Sequence, residues 1–149
     1  MNESRLANFL KETSLSNSAQ GLNPIGAFFA KGGAKLGMSL TSFNQASDQL
    51  LVSFPVDSVL PIVSEIIKKQ AREVKDPAEF DEANATFCIL TGSFVLNRWT
   101  HPSMVFVYVK PVSEASTSIL IKGYSNDYGG TAAKAEIKKI LKECSLRFR

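Results

Sequence analysis

One histidine, one tryptophan and two cysteines are all that a chain of 149 residues offers to metal, redox or indole chemistry. A lone His101 excludes multi-histidine metal centres and leaves no partner of recognisable spacing for a Ser–His or Cys–His pair. Cys88 and Cys144 are too few for a disulfide framework and wrongly spaced for zinc. Each sits inside an apolar pattern, as a small buried hydrophobe does. No stretch approaches the roughly 20 uninterrupted apolar residues that span a bilayer. "MNESRLANFLKETS" has no basic region leading into an apolar core, because Glu3, Lys11 and Glu12 interrupt it. A reducing, cytoplasmic location is therefore expected. Charge of one sign is scarce too: 17 Lys and Arg against 14 Asp and Glu leave a net +3, too mild to define a polyelectrolyte binder.

What remains is a composition suited to a core, 44% hydrophobic with ten Phe, in a chain long enough for one domain and an appendage. The expected division is residues 1–44 and 45–149. In the first part, residues 2–12 suit a short helix with Leu6, Phe9 and Leu10 on one side. "TSLSNSAQG" is a polar linker whose serines and asparagines compete with regular backbone bonding. "NPIGAFFAKGGAKLGMSL" then mixes apolar residues with glycines and two lysines. Its glycines each cost about 1 kcal/mol relative to Ala in a helix, so this segment needs an outside surface to become ordered.

From about Gln49 the patterns sharpen. "QLLVSFPV" alternates Leu50, Val52, Phe54 and Val56 as a strand does. "DSVLPIVSEIIKKQAREV" switches to helical spacing through Val59, Ile62, Val63, Ile66 and Ile67, with Asp57 or Ser58 as cap and Pro61 in the first turn. "KDPAEFDEAN" reads as a polar connection. "ATFCILTGSFVLNRW" is a central strand with a bulge or tight hairpin at Thr91-Gly92. "SMVFVYVKPV" and "TSILIKGYS" are further strands joined by a turn at "EAS", with Ile119 and Ile121 on one face. The last helix, "TAAKAEIKKILKECSLRF", carries an apolar stripe of Ala133, Ile137, Ile140, Leu141, Cys144 and Phe148. Short connections force antiparallel pairing. The expected fold class is α+β: an antiparallel sheet of four to five strands, two amphipathic helices on one face, and the glycine-rich N-terminal segment.

"TSILIKGYSNDYGGTAAKAEIKKILKE", read after "LLVSFPVDSVLPIVSEIIKK", resembles small bacterial β-α-β-β-β-α domains of unknown function. The likeness covers about residues 47–145. It implies a fold and brings no activity, cofactor or functional residue with it.

The polar residues converge on no catalytic constellation, so the expectation is a non-enzymatic domain without cofactor or metal. Glu79, Asp81 and Glu82 match no calcium-loop spacing. "SNDYGGT" lacks the Lys that follows a phosphate-binding glycine loop, and reads as a turn with a helix cap. Lys134, Lys138 and Lys142 form a ridge on the last helix. Glu136 and Glu143 dilute it and no aromatic interleaves, which argues against nucleic acid. Two candidate contact regions remain. Phe28, Phe29, Lys31, Lys35 and Leu36 form a basic amphipathic surface that either docks on the bare side of the sheet or meets a partner. Arg98, Trp99 and His101 share a loop suited to a ligand. The function expected is binding or self-association through a protein partner. The alternatives are a carrier of an apolar small molecule or lipid, its cavity between sheet and helices lined by the aromatic-rich strands, and a protein of the membrane surface.

Overall fold

The computed structural model describes Asn2, residues 4–10, Thr13, residues 44–95 and residues 98–149; the side chains of residues 93–101 and of Tyr128 lie outside the description. The glycine-rich segment, with Phe28, Phe29, Lys31, Lys35 and Leu36, also lies outside it. Within the described chain, residues 4–10 form helix α1. Strand β1 (Asn44–Val52), helix α2 (Val56–Gln70), strands β2 (Glu73–Lys75), β3 (Phe87–Val95), β4 (Arg98–Ser113) and β5 (Ser116–Ser125), and helix α3 (Thr131–Arg147) follow. The strands make one antiparallel sheet in the order β1-β5-β4-β3-β2. The fold is α+β, as the patterns require, with the resembled β-α-β-β-β-α order extended by the three-residue β2.

Period-two alternation divides the sheet into two chemically distinct faces. One face is aliphatic. Ile89, Val105, Val107, Ile119 and Ile121 meet Val59, Val63, Ile66 and Ile67 of α2 and Ile137, Ile140 and Cys144 of α3. The other face is aromatic and sulfur-rich, joining Cys88, Met104, Phe106, Tyr108 and Tyr124 to Leu6 and Leu10 of α1 and to Phe80. Phe106, Tyr108 and Tyr124 therefore point away from α2 and α3, whereas Phe87 packs, partly buried, with the aliphatic cluster. Phe106, Tyr108 and Tyr124 fall at even positions of β4 and β5, while Val105, Val107, Val109, Ile119 and Ile121 fall at odd, helix-facing ones.

Phe80 corrects a second expectation. The run "KDPAEFDEAN" is not merely a polar connection: it supplies the end of edge strand β2 and a 3-10 turn, Pro77–Phe80, that drives Phe80 into the aromatic layer. Asp76 caps this turn by accepting from the Ala78 amide. Edge-to-face ring contacts then run Phe9–Phe80–Phe106–Tyr124, with centroids 5.9, 6.0 and 5.8 Å apart. Asn2 caps α1 through its side chain to the Arg5 amide, and the Asn2 amide donates to the Phe80 carbonyl at 2.6 Å.

Helix α2 starts earlier than its sequence signals suggest. Ser58 and Val59 both donate to the carbonyl of Pro55, which occupies the cap position, and no side chain caps the end. Asp57 and Ser58 are therefore helical, and Pro61 lies inside the helix rather than in its first turn. The ring faces solvent. At the other end Lys68 and Lys69 complement the helix dipole.

Helix α3 lies very close to the sheet where β5 carries Gly123. A Cβ there would stand 3.1 Å from Ile137 Cδ1 and 3.2 Å from Ala133 Cβ. The helix is entered through Gly130 at φ 66, where an added Cβ would fall 2.8 Å from Asn44 Cβ, so β1 and the start of α3 abut. Both thiols are buried and unpaired. Burial pushes Cys88 up to about 12 and Cys144 up to about 11, so neither is a nucleophile near neutrality.

Candidate functional site at the polar end of the sheet-helix layer

The aliphatic layer between α3 and the sheet ends in a row of polar side chains, three of them hydroxyls. Register places Thr91 opposite Ser103, Ser103 opposite Ser125, and Ser125 opposite Asn44, one residue from each of four strands. All four occupy helix-facing positions. The next row inward on that face, Ile89, Val105, Gly123 and Ala46, has no polar side chain. Thr91, Ser103 and Ser125 are buried.

The first turns of α3 lie over this row. The Ala133 amide donates to Ser125 Oγ at 3.3 Å, and Ala132 donates to Asp127 Oδ2 at 3.0 Å. Asp127 thus caps the helix from outside it, as the turn-and-cap reading of "SNDYGGT" expects. One turn on, Glu136 points inward and is only 7% exposed. Its Oε2 lies 3.1 Å from Thr91 Oγ1, which is also 3.1 Å from the Gln70 carbonyl. Glu136 Oε1 meets Lys139 Nζ at 3.4 Å on the outer side.

Among the described residues, hydrogen bonding at this end is incomplete. Thr91 has one hydroxyl proton for two acceptors. Ser103 Oγ is fully buried without a partner, and Asp127 Oδ1 is buried without one as well. An unsatisfied buried polar group costs about 1–3 kcal/mol, so such a cluster calls for an explanation. Beyond it, β4 no longer pairs with β5. A bulge at Gly92 separates the Thr91–Ser103 pair from the outer hairpin, where Ser93–Val95 pair with Arg98–Thr100. The structure places Arg98, Trp99 and His101 in strand β4 of that hairpin rather than in a free loop, next to the hydroxyl row in the chain. Their side chains lie outside the description.

Solved structures give the comparison for this architecture. A START superfamily protein from Mycobacterium smegmatis matches at 12% identity and TM-score 0.44, over 70% of this chain and 96% of that one. Norcoclaurine synthase from Thalictrum flavum, in complex with dopamine and hydroxybenzaldehyde, matches at 8% identity and TM-score 0.42, over 75% of this chain and 90% of that one. The di-domain ARO/CYC BexL from the BE-7585A biosynthetic pathway matches at 15% identity and TM-score 0.42, over 69% of this chain and 47% of that one. No family model and no curated protein matches the sequence. The likenesses assign this chain neither a family nor an activity.

Two other regions were candidates on geometric grounds. An open groove of about 530 Å³ runs beside α1, lined by Asn2, Ser4, Arg5, Asn8, Phe9, Glu79 and Phe80. Arg5 already donates to the Glu79 carbonyl across it, so the groove is the seam where α1 rests on the 3-10 turn. On the aromatic face, Tyr108 donates to Glu82 at 2.7 Å, and burial followed by that bond pushes the phenol well above its usual range. This is a structural bond rather than acid–base machinery. Among the described residues no group of three or more His, Cys, Asp or Glu gathers to hold a metal ion, and no helix is long and apolar enough to cross a membrane.

Sequence reasoning missed Glu136, and the signal was there. On a helical wheel it falls between Ala133, Ile137 and Ile140, on the inward side of the stripe. A carboxylate at such a position is either paired or functional.

Proposed function

We propose that this protein is a non-catalytic binding domain for a small, largely apolar molecule that enters at the polar end of the layer between α3 and the sheet. The apolar body would lie against the aliphatic row of Ile89 and Val105 only with α3 displaced to admit it, because α3 closes that row at Gly123. The head would meet Thr91, Ser103 and Glu136. The observation that carries the reading is the buried Ser103 hydroxyl, which lacks a partner at the boundary between an aliphatic layer and a polar rim. Sites of this kind combine a mainly apolar wall with a few converging polar groups.

The test uses the full chain and 1-octanol as probe. Saturation at ten times its dissociation constant should raise stability by about 1.4 kcal/mol, or roughly 3–6 °C in a thermal melt. No shift at the solubility limit, with no displacement of a fluorescent apolar dye, would reject small-molecule binding here.

A second reading, self-association, is supported by Leu51 and Val112, large apolar side chains that are 63% and 61% exposed. Sedimentation across a hundredfold concentration range tests it. A constant monomer mass counts against it.

A further inference from the structure

Helix α3 turns a ridge of cations outward. In the sequence Glu136 and Glu143 interrupt its lysines, but Glu136 points into the sheet layer and Glu143 is half-buried. Lys134, Lys138 and Lys142 stand four residues apart on the exposed side, and the next position of that row, Leu146, is apolar and 48% exposed. Among the described residues none of these three lysines has an ion-pair partner. Lys139 on α3 and Lys68 and Lys69 on α2 are exposed in the same helical layer. The exposed carboxylates of the two helices are Asp57 and Glu65, and Arg147 holds Glu65 at 3.2 Å. The acidic run Asp76, Glu79, Asp81 and Glu82 is anchored across the sheet, by Phe80 in the aromatic layer and by the bond from Tyr108 to Glu82. Charge is thus divided, with cations over α2 and α3 and anions behind. At its far end the ridge turns apolar: beyond Leu146, Phe148 meets Phe54 with ring centroids 5.8 Å apart, and Phe54 is itself 37% exposed. Arg147 and Arg149, both exposed, alternate with Leu146 and Phe148 in the chain.

We propose that α3 docks this protein on an anionic lipid surface, with Lys134, Lys138 and Lys142 at the headgroups and Leu146 and Phe54 entering the boundary of the acyl chains. A lysine ridge that runs into exposed apolar side chains matches a bilayer interface, which is charged outside and apolar just beneath. A nucleic-acid backbone would match the lysines and leave Leu146 and Phe54 in water. A second copy placed by a two-fold axis through this face would set like charges against each other. Each lysine near such a surface contributes about fivefold to partition, and salt screens the attraction. The lipid contact uses the outer face of α3 and the small-molecule site its inner face, so either stands without the other.

The experiment pellets sucrose-loaded vesicles with the full chain, comparing phosphatidylcholine alone with phosphatidylcholine containing about 30% phosphatidylserine. In about 50 mM salt, partition onto the anionic vesicles should be at least about tenfold higher, and about 500 mM salt should remove the difference. Lys138→Gln/Lys142→Gln should lower that partition about tenfold or more. Ala83→Glu/Asn84→Glu changes net charge by the same amount beside the acidic run, and should stay within about twofold of the parent. Leu146→Ala should weaken binding to the anionic vesicles about threefold or more. All five substituted positions are exposed, so the fold is kept, and thermal melts check it. Equal partition onto both vesicles, or no loss in Lys138→Gln/Lys142→Gln, overturns the proposal. Tighter binding to double-stranded DNA than to the anionic vesicles, with Leu146→Ala affecting neither, makes the ridge a phosphate-backbone site and also overturns it. Binding of 1-octanol without vesicle binding removes the lipid contact and leaves the small-molecule reading standing.

Discussion

Replacing Leu6 with Ala tests whether the aromatic face of the sheet depends on the short helix that covers it. Leu6 is fully buried, and it shares its layer with Leu10, Phe80, Phe106 and Tyr124. A helix of two turns has almost no stability of its own in water, so α1 is formed by its docking. Leucine-to-alanine changes in rigid cores cost about 2–5 kcal/mol. The lower part of that range applies here, about 2–3 kcal/mol, because α1 is short and can settle into the space left behind. At roughly 2–4 °C per kcal/mol for a chain of this size, the melting temperature should fall by about 4–12 °C. Near-UV circular dichroism should weaken in parallel, since Tyr124 and Phe106 owe their asymmetric surroundings to this layer. Asn8→Ala, on the exposed side of the same helix, is the control and should leave the melt unchanged. A Leu6→Ala melt within 1 °C of the parent, with near-UV signal intact, would refute the docking argument.

Gly123→Val should cost about 1–3 kcal/mol, because the new side chain must enter the 3.1–3.2 Å gap below Ile137 and Ala133; urea titration measures it. Pro61→Ala should stabilise the chain by about 2 kcal/mol, the helix-interior penalty of proline less the gain in unfolded-chain freedom, and a higher urea midpoint would show it. Cys88 keeps its proton to about pH 12 in the folded chain but only to its ordinary 9.0 when unfolded. Its contribution is therefore complete below pH 9 and is lost as pH rises through that window. Urea midpoints between pH 8 and 11 should decline, and Cys88→Ala should flatten the decline without abolishing it, because the raised Tyr108 phenol adds its own alkaline loss. At pH 8, a thiol reagent should leave both cysteines unmodified until urea is added.

The elements with strong local periodicity were legible. Strand β5 and helix α3 follow from spacing alone, whereas Thr91-Gly92 left a bulge and a tight hairpin both open, and the register shift there decides for the bulge. The start of α2 was not, because Asp57 and Ser58 are good caps in any context while Pro55 acts through its carbonyl and tertiary position. Phe80 escaped notice because one aromatic among acidic residues carries no period, and only the fold of the 3-10 turn turns it inward. The hydroxyl row was hidden for a different reason. Thr91, Ser103 and Ser125 lie far apart in the chain, and a strand pattern fixes which side each faces but not which residues stand opposite. Register is a property of the assembled sheet.

The neighbour relation of β1 and β5 also bears on how the chain folds. The β3-β4-β5 meander closes through short turns, whereas Asn44 must find Ser125 across nearly the whole domain. Loop-closure entropy makes that pairing a late event. During synthesis β1 emerges well before its neighbour β5 exists, so Leu50, Leu51 and Val52 wait for it. That interval is the vulnerable stage of biogenesis, when a chaperone or an aggregating neighbour would compete for the same edge.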